Sequence, residues 1–137
     1  MAVIEELIRK ENDGTISFGN YTLNVKSKVS DFEHQGDLYK VKTYNEITKL
    51  EKNGMFVYES VPGTAVFHLD TKGNCISFEV TGSDTAQITL ELEAEKEYEI
   101  FKNDVNLGKM KTNLGGKLVL SLDLGEDKKD FIKVVKL

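Results

Sequence analysis

The sequence predicts an all-β protein folded as an antiparallel β-sandwich of immunoglobulin-like or jelly-roll-like type, with roughly 10–12 short strands. Short runs of alternating apolar and polar residues are interrupted by turn residues about every ten positions, beginning at Asn12-Asp13-Gly14. Asn53-Gly54 stands between two such runs, as in a two-residue hairpin. From Leu118 to Leu124 every second residue is leucine, which is expected where one face of a strand is buried.

The N-terminal segment, residues 2–10, is compatible with two structures. Its apolar positions have the spacing of one face of a short helix, and they also suit an edge strand, which we favour slightly. These positions are Val3, Ile4, Leu7 and Ile8. Ile16 and Phe18 then predict a returning strand, and a further strand is predicted by alternation at Tyr21, Leu23 and Val25.

Two hairpins follow. Residues 29–34 and 38–42 flank Gln35-Gly36-Asp37, and residues 47–52 and 55–59 flank Asn53-Gly54. A type I′ turn at Asn53-Gly54, with positive φ at both residues, fixes a register for the second hairpin. In that register Leu50 faces Val57, Lys49 faces Tyr58 and Glu51 faces Phe56.

This register places Ile47, Phe56 and Tyr58 on the face opposite Leu50 and Val57. Two aromatic residues on a nominally outer face indicate that the face is covered. The cover is either the N-terminal segment or a partner, since aromatic residues are enriched at interfaces. Ile47, Phe56 and Tyr58 are therefore the candidate interface residues.

Val61-Pro62-Gly63 holds the only proline and predicts a corner, with proline setting φ at one central turn position and Gly63 supplying positive φ at the next. We expect a single domain over residues 1–137, in which 64–137 is the more regular part. Alternation does not distinguish a sandwich from a closed barrel. Seven strands are predicted after the corner, at 65–70, 75–80, 86–92, 97–102, 105–112, 117–124 and 131–136.

Composition argues against several classes of protein. The net charge is −5, and along the sequence no lysine cluster is free of nearby acidic residues, so we expect no nucleic-acid partner. One cysteine cannot form an internal disulfide framework, and no apolar run is long enough for a membrane span. The N-terminus lacks the pattern of a signal peptide, which leads us to expect a cytoplasmic protein. Arg9 is the only arginine and tryptophan is absent.

Few residues suggest chemistry. His68 and Cys75 lie on neighbouring predicted strands. One register of that hairpin places them opposite each other as a candidate reactive pair, although an inert thiol beside an ordinary histidine is the better interpretation. A register shifted by one residue places His68 opposite Ile76. An acidic stretch could offer oxygen ligands to Ca²⁺, but it lacks the spacing of an EF-hand and reads better as a solvated turn. It comprises Asp123, Glu126, Asp127 and Asp130. We therefore predict no catalytic residue, no metal site and no cofactor.

Two resemblances can be stated. Residues 98–108 and 116–122 resemble the C-terminal β-sandwich modules of bacterial polysaccharide-processing enzymes, with a tyrosine-led strand, an Asn/Asp turn and a Gly-x-Leu strand. The whole chain resembles short clostridial-type proteins named endosialidases. The runs that carry this likeness are DGTISFGN (13–20), GDLYKVKT (36–43), EITKLEKNG (46–54) and YESVPGT (58–64).

The resemblance to endosialidases implies a link to glycans but carries over no catalytic residue. Sialidases typically clamp the sugar carboxylate with three arginines, and Arg9 alone cannot build that clamp within one subunit. The chain is also too short for a propeller of four or more four-stranded blades.

We therefore expect a non-enzymatic β-sandwich protein that acts through binding or assembly, as a homo-oligomer or with a protein partner. The alternative is a glycan-associated protein, either a carbohydrate-binding module or a glycosidase of endosialidase type. A third hypothesis is an intracellular carrier with a ligand inside a barrel.

Overall fold

The computed structural model describes residues 2–137, and they form an all-β sandwich of two antiparallel sheets with no helix in that range. It has thirteen strands, slightly more than the sequence predicts. The strands are β1 (Ile8–Lys10), β2 (Ile16–Phe18), β3 (Ser27–His34), β4 (Asp37–Tyr44), β5 (Ile47–Lys52), β6 (Met55–Val61), β7 (Thr64–Asp70), β8 (Cys75–Gly82), β9 (Ala86–Glu91), β10 (Glu97–Lys102), β11 (Val105–Lys111), β12 (Lys117–Leu122) and β13 (Asp130–Lys136).

The first sheet has the strand order β1-β2-β7-β8-β13-β10-β11, and the second has the order β12-β9-β6-β5-β4-β3. Both sheets therefore combine strands from before and after Pro62. The core between them contains side chains from both parts of the chain. At its centre the ring of Tyr58 packs edge-on against Phe18 and Phe78, with centroid distances of 5.3 and 5.8 Å. Such T-shaped contacts add to the free energy gained by burying the rings.

In the N-terminal segment only residues 8–10 form a strand, the edge strand β1, and the short helix does not form. Before β1, Ile4 is buried with Tyr21, Ala65 and Phe67 in a second, smaller apolar cluster. Tyr21 therefore contributes to packing, although the strand predicted at residues 21–25 is absent because this segment is a series of turns.

The two predicted hairpins are confirmed. Asn53 and Gly54 have φ values of 52° and 78°, as a type I′ turn requires, and Glu51 pairs with Phe56. The remaining register is wrong by one residue because a β-bulge follows this pair, so Leu50 pairs with Tyr58 and Lys49 with Glu59. A one-residue shift moves each following side chain to the opposite face of the sheet. Tyr58 therefore points into the core.

The corner at 61–63 lies between β6 and β7, and its Val61-Pro62 peptide is cis. The predicted positive φ of Gly63 is wrong, since Gly63 does not adopt that conformation. Glycine is needed there for space, because a Cβ atom would lie 2.0 Å from the carbonyl oxygen of Tyr44.

The hairpin of β7 and β8 has neither of the predicted registers. Asp70 pairs with Ser77, and a bulge between Phe67 and Asp70 places His68, with a φ of 54°, in the irregular part of the strand. Cys75 pairs across the sheet with Val135 of β13. The bulge, together with a connection between β7 and β8 that is longer than either predicted register assumed, explains why His68 pairs with neither Cys75 nor Ile76.

Candidate functional site: a cleft between the sheets

A cleft of about 460 Å³ lies between the two sheets at the end of the sandwich that carries the β3–β4 turn and the β7–β8 loop. Its volume is within the range of small-molecule sites, roughly 300–1,000 Å³. The first sheet contributes the loop residues 70–75 to one wall, and the second sheet contributes Tyr39, Val57 and Leu92 to the other. The cleft is therefore formed by segments that are far apart in sequence.

The inner part of the cleft is apolar. Ile16, Leu69 and Ile76 are buried core residues whose side chains form the floor. Tyr39, Phe56 and Tyr98 add aromatic rings. Burial raises the pKa of the Tyr39 hydroxyl, so this group stays protonated over the physiological range and remains a hydrogen-bond donor. Ligand sites also combine apolar surface with polar groups, and in this cleft the two are present in similar amounts.

One rim of the cleft is held by two side chains that converge on a single carbonyl. His34 Nε2 lies 2.9 Å from the carbonyl oxygen of Gly14, and Gln35 Nε2 donates to the same oxygen at 3.3 Å. These contacts tie the turn between β1 and β2 to the turn between β3 and β4. The His34 ring also packs against Tyr39, with a centroid distance of 6.2 Å. His34 thus has a structural role in joining the two sheets at the cleft.

The opposite rim carries two carboxylates that already have cationic partners. Glu93 forms an ion pair with Lys136, and this hydrogen bond lowers the pKa of the Glu93 carboxyl and raises that of the Lys136 ammonium. Glu91 forms an ion pair with Lys117. A glycosidase acid needs a raised pKa, so the shift at Glu93 has the wrong sign for that role.

His68 lies outside the cleft and contacts the β1–β2 turn. Its Nδ1 atom is 3.1 Å from Asp13 Oδ2 and 3.1 Å from Thr15 Oγ1. A nucleophile–histidine–carboxylate triad uses the two ring nitrogens for different partners, whereas both contacts here fall on one nitrogen. The hydrogen bond from Thr15 lowers the pKa of Asp13. This group therefore stabilises a turn, and it does not have the geometry of an activated threonine.

The predicted interface residues separate in the structure. Tyr58 is completely buried, so it cannot contribute to a partner surface. Ile47 is half-buried, and Phe56 is half-buried beside the cleft. The Nζ atoms of Lys117 and Lys49 lie 4.5 and 5.8 Å from the centroid of the Phe56 ring. The three residues do not form the continuous apolar face that the predicted register implies.

Cys75 is a free, half-buried thiol at the start of β8, and it lines the cleft next to the β7–β8 loop. The loop wall also brings Asp70 and Asn74 to the cleft. The cysteine therefore lies near the candidate site, but its contacts do not include the histidine that the sequence suggested as its partner.

The acidic residues of the stretch 123–130 have separate environments. Asp123 accepts a hydrogen bond from Thr85 at 2.6 Å. Asp130 is fully buried, and its Oδ1 atom accepts from Asn103 Nδ2 at 2.9 Å and pairs with Lys128 at 3.3 Å. Within residues 2–137, no three histidine, cysteine or acidic side chains are grouped so that they could hold a metal ion.

Most residues of the cleft were missed by reasoning from the sequence. Tyr39, Leu92 and Tyr98 were recognised at most as strand residues. Their sequence signal is ordinary alternation, which predicts burial and cannot show which buried residues border an opening. Phe56 was singled out, but for a different surface.

Across residues 2–137 no helix is long and apolar enough to span a membrane. The chain matches no protein-family model, and comparison with curated proteins and with solved structures also finds no match.

Proposed function

We propose that this chain is a non-enzymatic binding protein whose ligand occupies the cleft between the sheets. The cleft itself is the observation that supports the proposal, because it combines a suitable volume with an apolar floor and a polar rim. The rim residues Glu91 and Glu93 are neutralised by lysines, and His34 is engaged with the backbone. These groups are thus arranged to hold the rim together, which favours binding over catalysis.

A saccharide is the ligand class that the lining favours. Sugars present apolar faces and hydroxyl edges, and the cleft offers aromatic rings from Tyr39 and Phe56 beside charged groups such as Lys52. Lys52 lies 3.4 Å from Asp37, so this charge is held in place at the rim. This glycan-binding role is the second candidate, and it is a specific form of the first.

A glycan array of neutral and acidic oligosaccharides tests both proposals when it is probed with the wild type, Phe56→Ala and Phe101→Ala. Phe56 lines the cleft, whereas Phe101 is a half-buried aromatic residue of β10 that does not line it. We expect about a tenfold loss of affinity for Phe56→Ala, roughly the 1.4 kcal/mol of one aromatic contact, and little change for Phe101→Ala.

Native mass spectrometry of the protein purified from its own host completes the test. If the protein retains a non-saccharide molecule and binds no glycan on the array, the glycan proposal is contradicted and a different ligand for the cleft is supported. If the protein retains no molecule and binds no glycan on the array, the proposal that the cleft binds a ligand is contradicted. Shortening of an array-positive glycan by the wild type but not by Glu91→Gln/Glu93→Gln would show that the protein is an enzyme.

A further inference from the structure

Three lysines form a straight row across the outer face of the second sheet, on three neighbouring strands. Lys28 of β3 pairs with Lys42 of β4, and Lys42 pairs with Lys49 of β5. We call Lys28, Lys42 and Lys49 the lysine row. Neighbouring strands are about 4.8 Å apart, so the backbone positions that carry successive lysines of the row are separated by about that distance.

The lysine row points away from the core. The neighbours of Lys42 along β4, Val41 and Thr43, are completely buried, and so are Thr48 and Leu50 on either side of Lys49. Because successive side chains of a strand point to opposite faces, Lys42 and Lys49 project outwards. Lys28 is exposed.

Among residues 2–137, the three lysines of the row are not held in ion pairs, although Glu59 lies directly opposite Lys49 at its end. Five other cationic residues in that range do form ion pairs. Like charges placed directly opposite each other destabilise a sheet. Two such contacts in succession therefore work slightly against folding, and an anionic ligand bound along the row would offset that cost.

Two further lysines extend this positive region. Lys26 precedes β3, and its Nζ atom lies 5.9 Å from the centroid of the Tyr44 ring. Lys40 is two residues from Lys42 and lies on the same face of β4. Acidic residues border the region, with Glu51 opposite Lys40 and Glu59 opposite Lys49. The positive strip is consequently narrow and bounded by negative charge.

We propose that the lysine row binds a linear chain of phosphate groups, of which inorganic polyphosphate is the simplest example. A narrow strip suits an extended polyanion, whereas a flat anionic membrane would also meet Glu51 and Glu59. Lysine binds phosphate as a point charge, and arginine, which would add bidentate recognition, is absent from this face. The proposal concerns a different surface from the cleft and does not rest on the function proposed for it.

Single-stranded nucleic acid also carries a chain of phosphates, but its bases normally stack on exposed aromatic rings. The aromatic ring beside the row, Tyr44, is already approached by the Lys26 ammonium. This ring offers no free platform for stacking. A phosphate chain without bases is therefore the better match.

Binding of long-chain inorganic polyphosphate by isothermal titration calorimetry tests the proposal with the wild type, Lys28→Gln/Lys42→Gln/Lys49→Gln and a control, Lys96→Gln/Lys111→Gln/Lys133→Gln. The control removes three exposed lysines that also lack ion pairs, so the change in net charge is the same. We expect the row variant to bind polyphosphate more than about tenfold more weakly than the wild type. If three phosphates are neutralised, the affinity of the wild type should fall about twentyfold between about 50 and 200 mM salt. Lys42→Gln alone should give an intermediate affinity.

Thermal unfolding of the same proteins separates binding from folding. Removing the like charges should leave the melting temperature of the row variant unchanged or higher. Equal losses in the row variant and the control, or no binding by the wild type at low salt, would overturn the proposal. It would also be overturned if polygalacturonate, single-stranded DNA or anionic vesicles bound more tightly than polyphosphate through the row.

Discussion

A network of buried hydroxyl groups joins β4, β5, β6 and β7 through the middle of the protein. The Thr64 hydroxyl lies 2.7 Å from both Tyr58 Oη and Ser60 Oγ, and the Thr48 hydroxyl donates to the Thr64 carbonyl oxygen at 2.9 Å. Thr43 continues the network, 2.8 Å from Thr48. Burial raises the pKa of Tyr58, so its hydroxyl stays protonated and bonded. These polar groups are tolerated in the core because they satisfy one another.

Replacing Thr64 with valine should show how much this network contributes to the stability of the fold. Thr64→Val removes the hydroxyl that both Tyr58 and Ser60 contact, and we expect a loss of about 1–3 kcal/mol in the free energy of unfolding, measured with urea. The double variant Tyr58→Phe/Thr64→Val should recover part of the loss, because both polar partners are then gone. Additive losses in the double variant would show that the two hydroxyls are not coupled.

Single residues also show where sequence reasoning stops. Lysines 28, 42 and 49 each look like ordinary solvent-facing strand residues, and His68 has no visible partner within its own hairpin. Asp13, which contacts His68, is 55 positions away. Such contacts depend on which strands become neighbours, and a local pattern carries no information about that choice.

At the scale of elements, turns and close approaches make different demands on glycine. Gly54 adopts a positive φ in open space, whereas Gly63 is confined by the backbone of Tyr44. The first demand is visible in an Asn-Gly pair between alternating runs. The second follows from the packing of the corner against the β4–β5 turn, and the sequence led instead to a positive φ at Gly63.

Alanine at the two glycines should distinguish these demands. A methyl group at position 54 would lie in open space, so Gly54→Ala should cost only the strain of positive φ, about 1 kcal/mol in the free energy of unfolding. Gly63→Ala forces a backbone shift, and we expect a cost of about 2–3 kcal/mol in the free energy of unfolding by urea titration. A larger loss for Gly54→Ala than for Gly63→Ala would contradict the close approach at the corner.

β-Bulges explain the errors in strand register. The type I′ turn correctly fixed the Glu51–Phe56 pair, but the bulge beyond it sent Tyr58 inwards. A bulge also displaces His68. An extra residue in a strand shifts the register of everything beyond it, and alternation within the strand does not reveal where that residue lies.

For the whole molecule, the edge strands of the sheets are the places open to pairing with another chain. The edge strand β11 is exposed along all seven residues, and it includes the apolar residues Val105, Leu107 and Met110. Lys109 and Lys111 lie on it, and a bulge disturbs its pairing with β10. Charged edge residues and bulges both hinder the addition of another strand.

Removing these charges should promote association of copies through β11. We expect Lys109→Val/Lys111→Val to show a higher mass than the wild type at equal concentration by size-exclusion chromatography with light scattering. Lys133→Val, on the inner strand β13, is the control and should behave like the wild type. Equal masses for all three proteins would show that the lysines do not protect this edge.

The all-β sandwich, its hairpins and most of its strands follow from the sequence alone, because alternation and turn chemistry are properties of residues close together in the chain. The cleft and the lysine row arise only in the tertiary structure. Each is assembled from several strands, and the order and register of those strands are set by packing in a shared core. Tyr58 illustrates the difference. Local alternation placed it at the surface, whereas the bulge turned its ring into the core, where it packs against Phe18 and Phe78.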